Sequence, residues 1–173
     1  IRGVQDGLVC WLATRDLAEQ TMALRRDLAV RIARELDCGV EVGGGEGMQI
    51  GRRQRLMANG MLLLEAWLHE QAARYARLEG DQRREFLDRQ IDRLIRWDLP
   101  SLTDSSENDE QPSAAASFLK LSQQVDEWIK RADVSRREQL RKLADDFRRR
   151  FFYRSLTGSL PASPGAGPER STY

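Results

Sequence analysis

Apolar residues return every three or four positions through most of this chain, and that period constrains its fold more than any other feature. From Leu8 to about Leu36 the recurrence runs through Leu8, Trp11, Leu12, Leu24, Leu28, Ile32 and Leu36. Arg25, Arg26, Asp27, Arg31, Arg34 and Glu35 fall on the other side. A 3.6-residue repeat gathers such positions on one face, so the pattern predicts a first amphipathic helix, closed by Gly39 where a helix C-terminus favours positive φ. A second helix is expected from near Arg52 to Leu78. Its Met57, Met61, Leu64, Leu68, Tyr75 and Leu78 stand at nearly heptad steps, a narrow seam suited to antiparallel packing or to an interface. Gly80 and Asp81 read as a helix stop followed by an N-cap. The third helix carries Leu87, Ile91, Leu94 and Ile95 on one face, with Arg84/Asp88, Glu85/Arg89 and Asp92/Arg96 at i,i+4 spacing on the surface, and Leu99-Pro100 ends it.

Between the first two helices, Val40-Glu41-Val42 and Met48-Gln49-Ile50 alternate around Gly43 to Gly47, which suits either a tiny β-hairpin at 40–50 or an open loop. From Ser101 to Pro112 the chain is Ser, Thr, Asp, Glu, Asn and Gln, too polar to offset its ordering entropy. Phe118, Leu121, Val125, Trp128 and Ile129 mark a fourth helix. Ser135-Arg136-Arg137-Glu138 matches a capping box for a fifth helix along Leu140, Leu143, Phe147 and Phe151, ending near Gly158. The expected fold is therefore all-α: an antiparallel helical bundle of about five helices. It divides into a three-helix core over 1–99, an acidic flexible linker over 100–112, a two-helix appendage over 113–157 packed on that core, and a disordered tail over 158–173.

Composition narrows the function classes. The net charge is only +1, so any argument for an anionic partner must be local. No apolar run approaches the roughly 18 to 20 residues of a spanning helix. A cytoplasmic location is favoured, with a signal or anchor upstream of Ile1 left open. Cys10 and Cys38 are too few for a disulfide framework and, at opposite ends of one helix, would lie about 40 Å apart, so isolated buried thiols are expected.

Catalytic constellations fail one by one. The glycines at 43–47 lack the Gly-Lys-Ser/Thr ending of a phosphate loop and the third glycine of a dinucleotide fingerprint, and Glu46 sits where a phosphate would. His69 is the sole histidine, four residues after Glu65; the pair shares a face, but metal sites in bundles use Glu-x-x-His and more ligands, so an ion-paired surface histidine is expected. With one imidazole and no Gly-x-Ser-x-Gly elbow there is no nucleophilic triad. Asp145 and Asp146 point in different directions and read as solvated. No enzyme, metal or cofactor is expected.

Trp11, Trp67 and Trp128, set among leucines, are expected in the core, and Trp97 at a helix end. The strongest local signal is the fifth helix. Eight basic side chains, among them Arg141, Lys142, Arg148, Arg149, Arg150 and Arg154, face three acidic ones, and Phe152 and Tyr153 fall off the apolar stripe among the arginines. Such a helix would lie on an acidic membrane, pair with nucleic-acid phosphates or dock an acidic protein; the plainer alternative is a solvated helix whose arginine stems cover the core edge. Asp104, Glu107, Asp109 and Glu110 would mask that face if the linker folded back. The leading expectation is a non-catalytic structural or protein-interaction module, self-associating or partner-binding, with an anionic-surface binder acting through 136–154 as the rival.

Overall fold

The computed structural model describes residues 9–38, 49–97 and 114–161. Within them every regular element is an α-helix, as the periodicity requires. The helices are α1 over 9–14, α2 (Met22–Asp37), α3 (Ile50–Tyr75), α4 (Gly80–Arg96), α5 (Ala114–Arg131) and α6 (Val134–Leu156). The glycine cluster, Gly39, the acidic linker and residues 162–173 lie outside the described residues, as does the expected ribbon except for Gln49 and Ile50, which open α3.

The helix expected over Leu8–Leu36 is two helices joined by a turn. α1 stops at 14, and Thr21 caps α2 by accepting the Leu24 N–H at 3.3 Å. Asn59 of α3, only 2% exposed, supplies partners to the backbone where the helix breaks. Its Oδ1 accepts the Leu17 N–H at 3.2 Å, and its Nδ2 donates to the carbonyls of Leu12 at 2.6 Å and Arg15 at 2.7 Å. Arg25 closes the other side, donating to the carbonyls of Leu17 at 2.8 Å and Ala18 at 2.6 Å. Buried backbone groups need such partners when they leave a helical ladder. The break also removes the premise that Cys10 and Cys38 end one rod, and both thiols are exposed rather than buried.

Two other helix starts differ from expectation. Gly80, at φ +49°, opens α4 after an extended Glu79, so Asp81 lies within the first turn instead of capping it. At α6 the cap is Asp133, whose carboxylate accepts the Arg136 N–H at 3.0 Å; Ser135 is already helical, and the expected capping box does not form.

Two hydrophobic clusters hold the helices together. The first joins Leu12, Leu17 and Ala33 to Leu64 and Trp67 of α3 and to Trp128 of α5. The second joins Tyr75, Phe86 and Leu87 to Ile129, Leu140 and Leu143. α6 packs against α3, α4 and α5, while α2 packs on α3. Met61, Leu64 and Leu68 of the heptad seam pack into the first cluster, and Met57 lines a cavity of about 90 Å³ together with Leu36, Trp67 and Trp97. Trp97 meets Trp67 edge-on at 5.2 Å, and its Nε1 donates to Asp37 at 3.3 Å. Arg93 grips the same carboxylate through two bonds of 2.9 and 2.8 Å. Trp11, expected in the core, is instead 37% exposed, because the short α1 buries its Leu12 and Ala13 side.

Candidate functional site

The basic helix carries the strongest sequence signal, and the fold divides its charges into two groups. Arg148, Arg150 and Arg154 turn toward neighbouring helices. Arg148 donates to the Ser122 hydroxyl at 2.6 Å and its carbonyl at 3.1 Å, and reaches Asp126 of α5. Arg150 forms a bidentate pair with Asp88 of α4, both bonds 2.8 Å. Arg154 is nearly buried, with Asp92 at 2.8 Å, the Asp88 carbonyl at 3.2 Å and the Ser159 carbonyl at 2.6 Å. The fork of donors on a guanidinium suits this several-sided capture. The hydrogen bond from Arg150, helped by the Arg150 and Arg154 charges, holds the Asp88 carboxyl below the ordinary carboxylate range.

These pairings correct the expected surface role of α4. Asp88 and Asp92 serve α6 across the bundle, not Arg84 and Arg96 along their own helix. Asp146, expected to be solvated, accepts from the Tyr75 hydroxyl at 2.7 Å, and burial together with this bond pushes the phenol well above its usual range. Sequence periodicity placed the charges on faces but carried no signal for these partners, which come from helices 22 to 71 residues away.

The remaining candidates face outward. Arg141 and Lys142 are exposed, and Arg149, though paired with Asp146, keeps 77% of its side chain accessible. Phe152 and Tyr153 are each 58% exposed, and Leu156 is 88% exposed one turn further on. Phe152 meets Phe151 edge-on at 6.3 Å, and the Arg150 guanidinium stands 5.3 Å over the Tyr153 ring. The result is an apolar and aromatic patch beside cations, at the end of a helix that the bundle anchors on its other sides.

Glu65 and His69 share a half-buried face of α3. Burial raises the Glu65 carboxyl's pKa against the opposing pull of Arg131, 3.7 Å away. Burial, reinforced by Arg136, lowers that of His69. Among the described residues no three His, Cys, Asp or Glu side chains converge as metal ligands, and no helix is long and apolar enough to cross a membrane. Compared with known proteins, the chain matches no family model, no curated protein and no solved structure.

Proposed function

We propose that this chain is a non-catalytic helical interaction module that binds a protein partner through the outward face of α6, with Phe152, Tyr153 and Leu156 as its apolar contacts. The observation that carries this reading is their exposure: three large apolar side chains, each more than half accessible, stand side by side on one helix end. Clustered aromatic and aliphatic groups flanked by arginines are the residues that dominate protein interfaces. Their support is rigid, since the opposite side of α6 is fixed to α3, α4 and α5.

The rival reading, an anionic membrane or nucleic-acid surface, would draw on the same helix. It is weakened by the commitment of Arg148, Arg150 and Arg154 to Asp126, Asp88 and Asp92, which leaves Arg136, Arg141, Lys142 and Arg149 as the outward cations. The two readings respond differently to substitution. In affinity purification from cells, replacing Phe152, Tyr153 and Leu156 by Ser should remove the specific partners recovered with the wild-type chain. Replacing Arg141, Lys142 and Arg149 by Gln should instead abolish salt-sensitive retention on heparin or acidic vesicles if the rival holds. An unchanged set of partners with the triple-serine variant refutes the module reading.

A further inference from the structure

The outward face of α6 sets Asp145 and Arg149, opposite in charge, at equal distances on either side of position 147. At 100° per residue, Glu138, Arg141, Lys142, Asp145, Arg149, Phe152, Tyr153 and Leu156 fall within a sector about 120° wide. All are exposed. If a second α6 is laid antiparallel on this sector, about a centre at position 147, Asp145 falls opposite Arg149 and Arg149 opposite Asp145. In the same register Lys142 meets Phe152, Arg141 meets Tyr153, and Glu138 lies level with Leu156. Every pairing occurs twice, as in any isologous two-fold arrangement, so the case for this occupant rests on which side chains the register brings together.

We infer that the partner of this face is a second copy of the same chain, paired antiparallel through α6. This inference rests on the interaction-module reading and names its partner. Charge complementarity selects the occupant. The pairing joins opposite charges at its centre and sets cations against aromatic rings on either side, where a cation over a ring is attractive. A parallel pairing in equal register would place Arg149 on Arg149 and Asp145 on Asp145, repelling at both. The aromatic side chains contribute twice, since Phe152 and Tyr153 of each copy cover Lys142 and Arg141 of the other, while Leu156 of each lies beside Glu138. From Glu138 to Leu156 the contact would run for about 27 Å of helix, a length over which two helices stay in touch when they cross at a shallow angle near 20°.

Groups within the chain engage this face without covering it: Asp146 pairs with Arg149, and Arg150 stands 5.3 Å over the Tyr153 ring, which is still 58% exposed. Asp145 has Arg148 at 3.4 Å yet remains half exposed, and Arg149 reaches sideways to Asp146 with most of its guanidinium arm accessible. The interface would be small, so association belongs in the micromolar to millimolar range and is measured on the full chain by sedimentation equilibrium up to about 1 mM.

Charge reversal tests the register. Asp145→Arg places Arg on Arg149 across the interface, and Arg149→Asp places Asp on Asp145, so each variant alone should dimerise at least about tenfold more weakly than wild type. Mixed together they should recover, because the first chain then offers Arg at both central positions and the second offers Asp at both. Whatever a substitution does inside its own chain is the same alone and in the mixture, so recovery reports the interface only. Circular dichroism checks that each variant is folded; if one is not, Leu156→Glu, which removes an apolar end group without touching the central charges, should weaken the dimer in its place. A dimer indifferent to the reversals, or a mixture that stays monomeric, overturns this pairing. A strictly monomeric wild-type chain also overturns it, while partner capture that still depends on Phe152, Tyr153 and Leu156 would leave the module reading standing.

Discussion

Replacing Asn59 by Ala is the most demanding test of how this fold is held. The side chain is 2% exposed and satisfies three backbone groups at the break between α1 and α2: the Leu17 N–H and the carbonyls of Leu12 and Arg15. Each such bond is worth about 1 kcal/mol net, but removal of one partner leaves the other desolvated, at a cost of about 1–3 kcal/mol per buried group. The bonds to Leu17 and Leu12 are buried, whereas the Arg15 carbonyl is near enough to solvent to recruit water. Two orphaned groups and a small void together amount to about 2–4 kcal/mol. With a urea slope of about 2 kcal/mol/M, the midpoint should fall by about 1–2 M at unchanged slope. The Leu17 amide should also lose protection against hydrogen exchange ahead of the amides of α3. Gln54→Ala, an exposed change on the same helix, is the control and should stay within about 0.5 kcal/mol of wild type. If Asn59→Ala shifts the midpoint no further than Gln54→Ala does, the polar clamp is not what holds the break, and packing of Leu12 and Leu17 alone must do so.

Two further outcomes concern the ion pairs and the buried phenol. Asp88→Asn should destabilise the chain by about 2 kcal/mol at pH 7, because Arg150 and the nearly buried Arg154 lose their shared anion. The folded-state pKa of Asp88 is depressed, so its contribution is present above the unfolded value near ~3.9 and is lost as pH falls through the lower folded value. The gap between wild type and Asp88→Asn in urea titrations should therefore narrow on acidification below the unfolded value, and a gap independent of pH would refute the assignment. Tyr75 has a raised folded-state pKa, so the stabilisation linked to its neutral form is full below the unfolded value near ~10, declines above it and is gone once pH has risen through the folded value. Phenolate absorbance of the folded chain at about pH 11 should therefore be the same in wild type and Tyr75→Phe, since Tyr75 is still neutral there; a smaller signal in the variant would contradict the structure. That variant should also lose about 1 kcal/mol of stability with its bond to Asp146.

The all-helical class and the positions of most helices were legible in the residues alone, because burial on one face of a helix imprints a 3.6-residue period that needs no knowledge of the neighbour. The arginines and the off-stripe Phe152 and Tyr153 likewise marked α6 as unusual. Interactions made across the bundle left no such imprint. The break at 15–21 depends on Asn59, an ordinary polar residue within a helix until its amide meets an open backbone 42 to 47 residues earlier. Asp88 and Asp92 have arginines within reach along their own helix, and only the packing of α4 on α6 directs them to Arg150 and Arg154. The same packing decided the character of the candidate site. Local charge made residues 136–154 a cationic surface, whereas the folded chain commits Arg148, Arg150 and Arg154 to internal carboxylates and leaves an outward stripe of mixed charge ending in Phe152, Tyr153 and Leu156. A charge's partner is set by distance in space, and periodicity along the chain fixes only the face on which that charge begins.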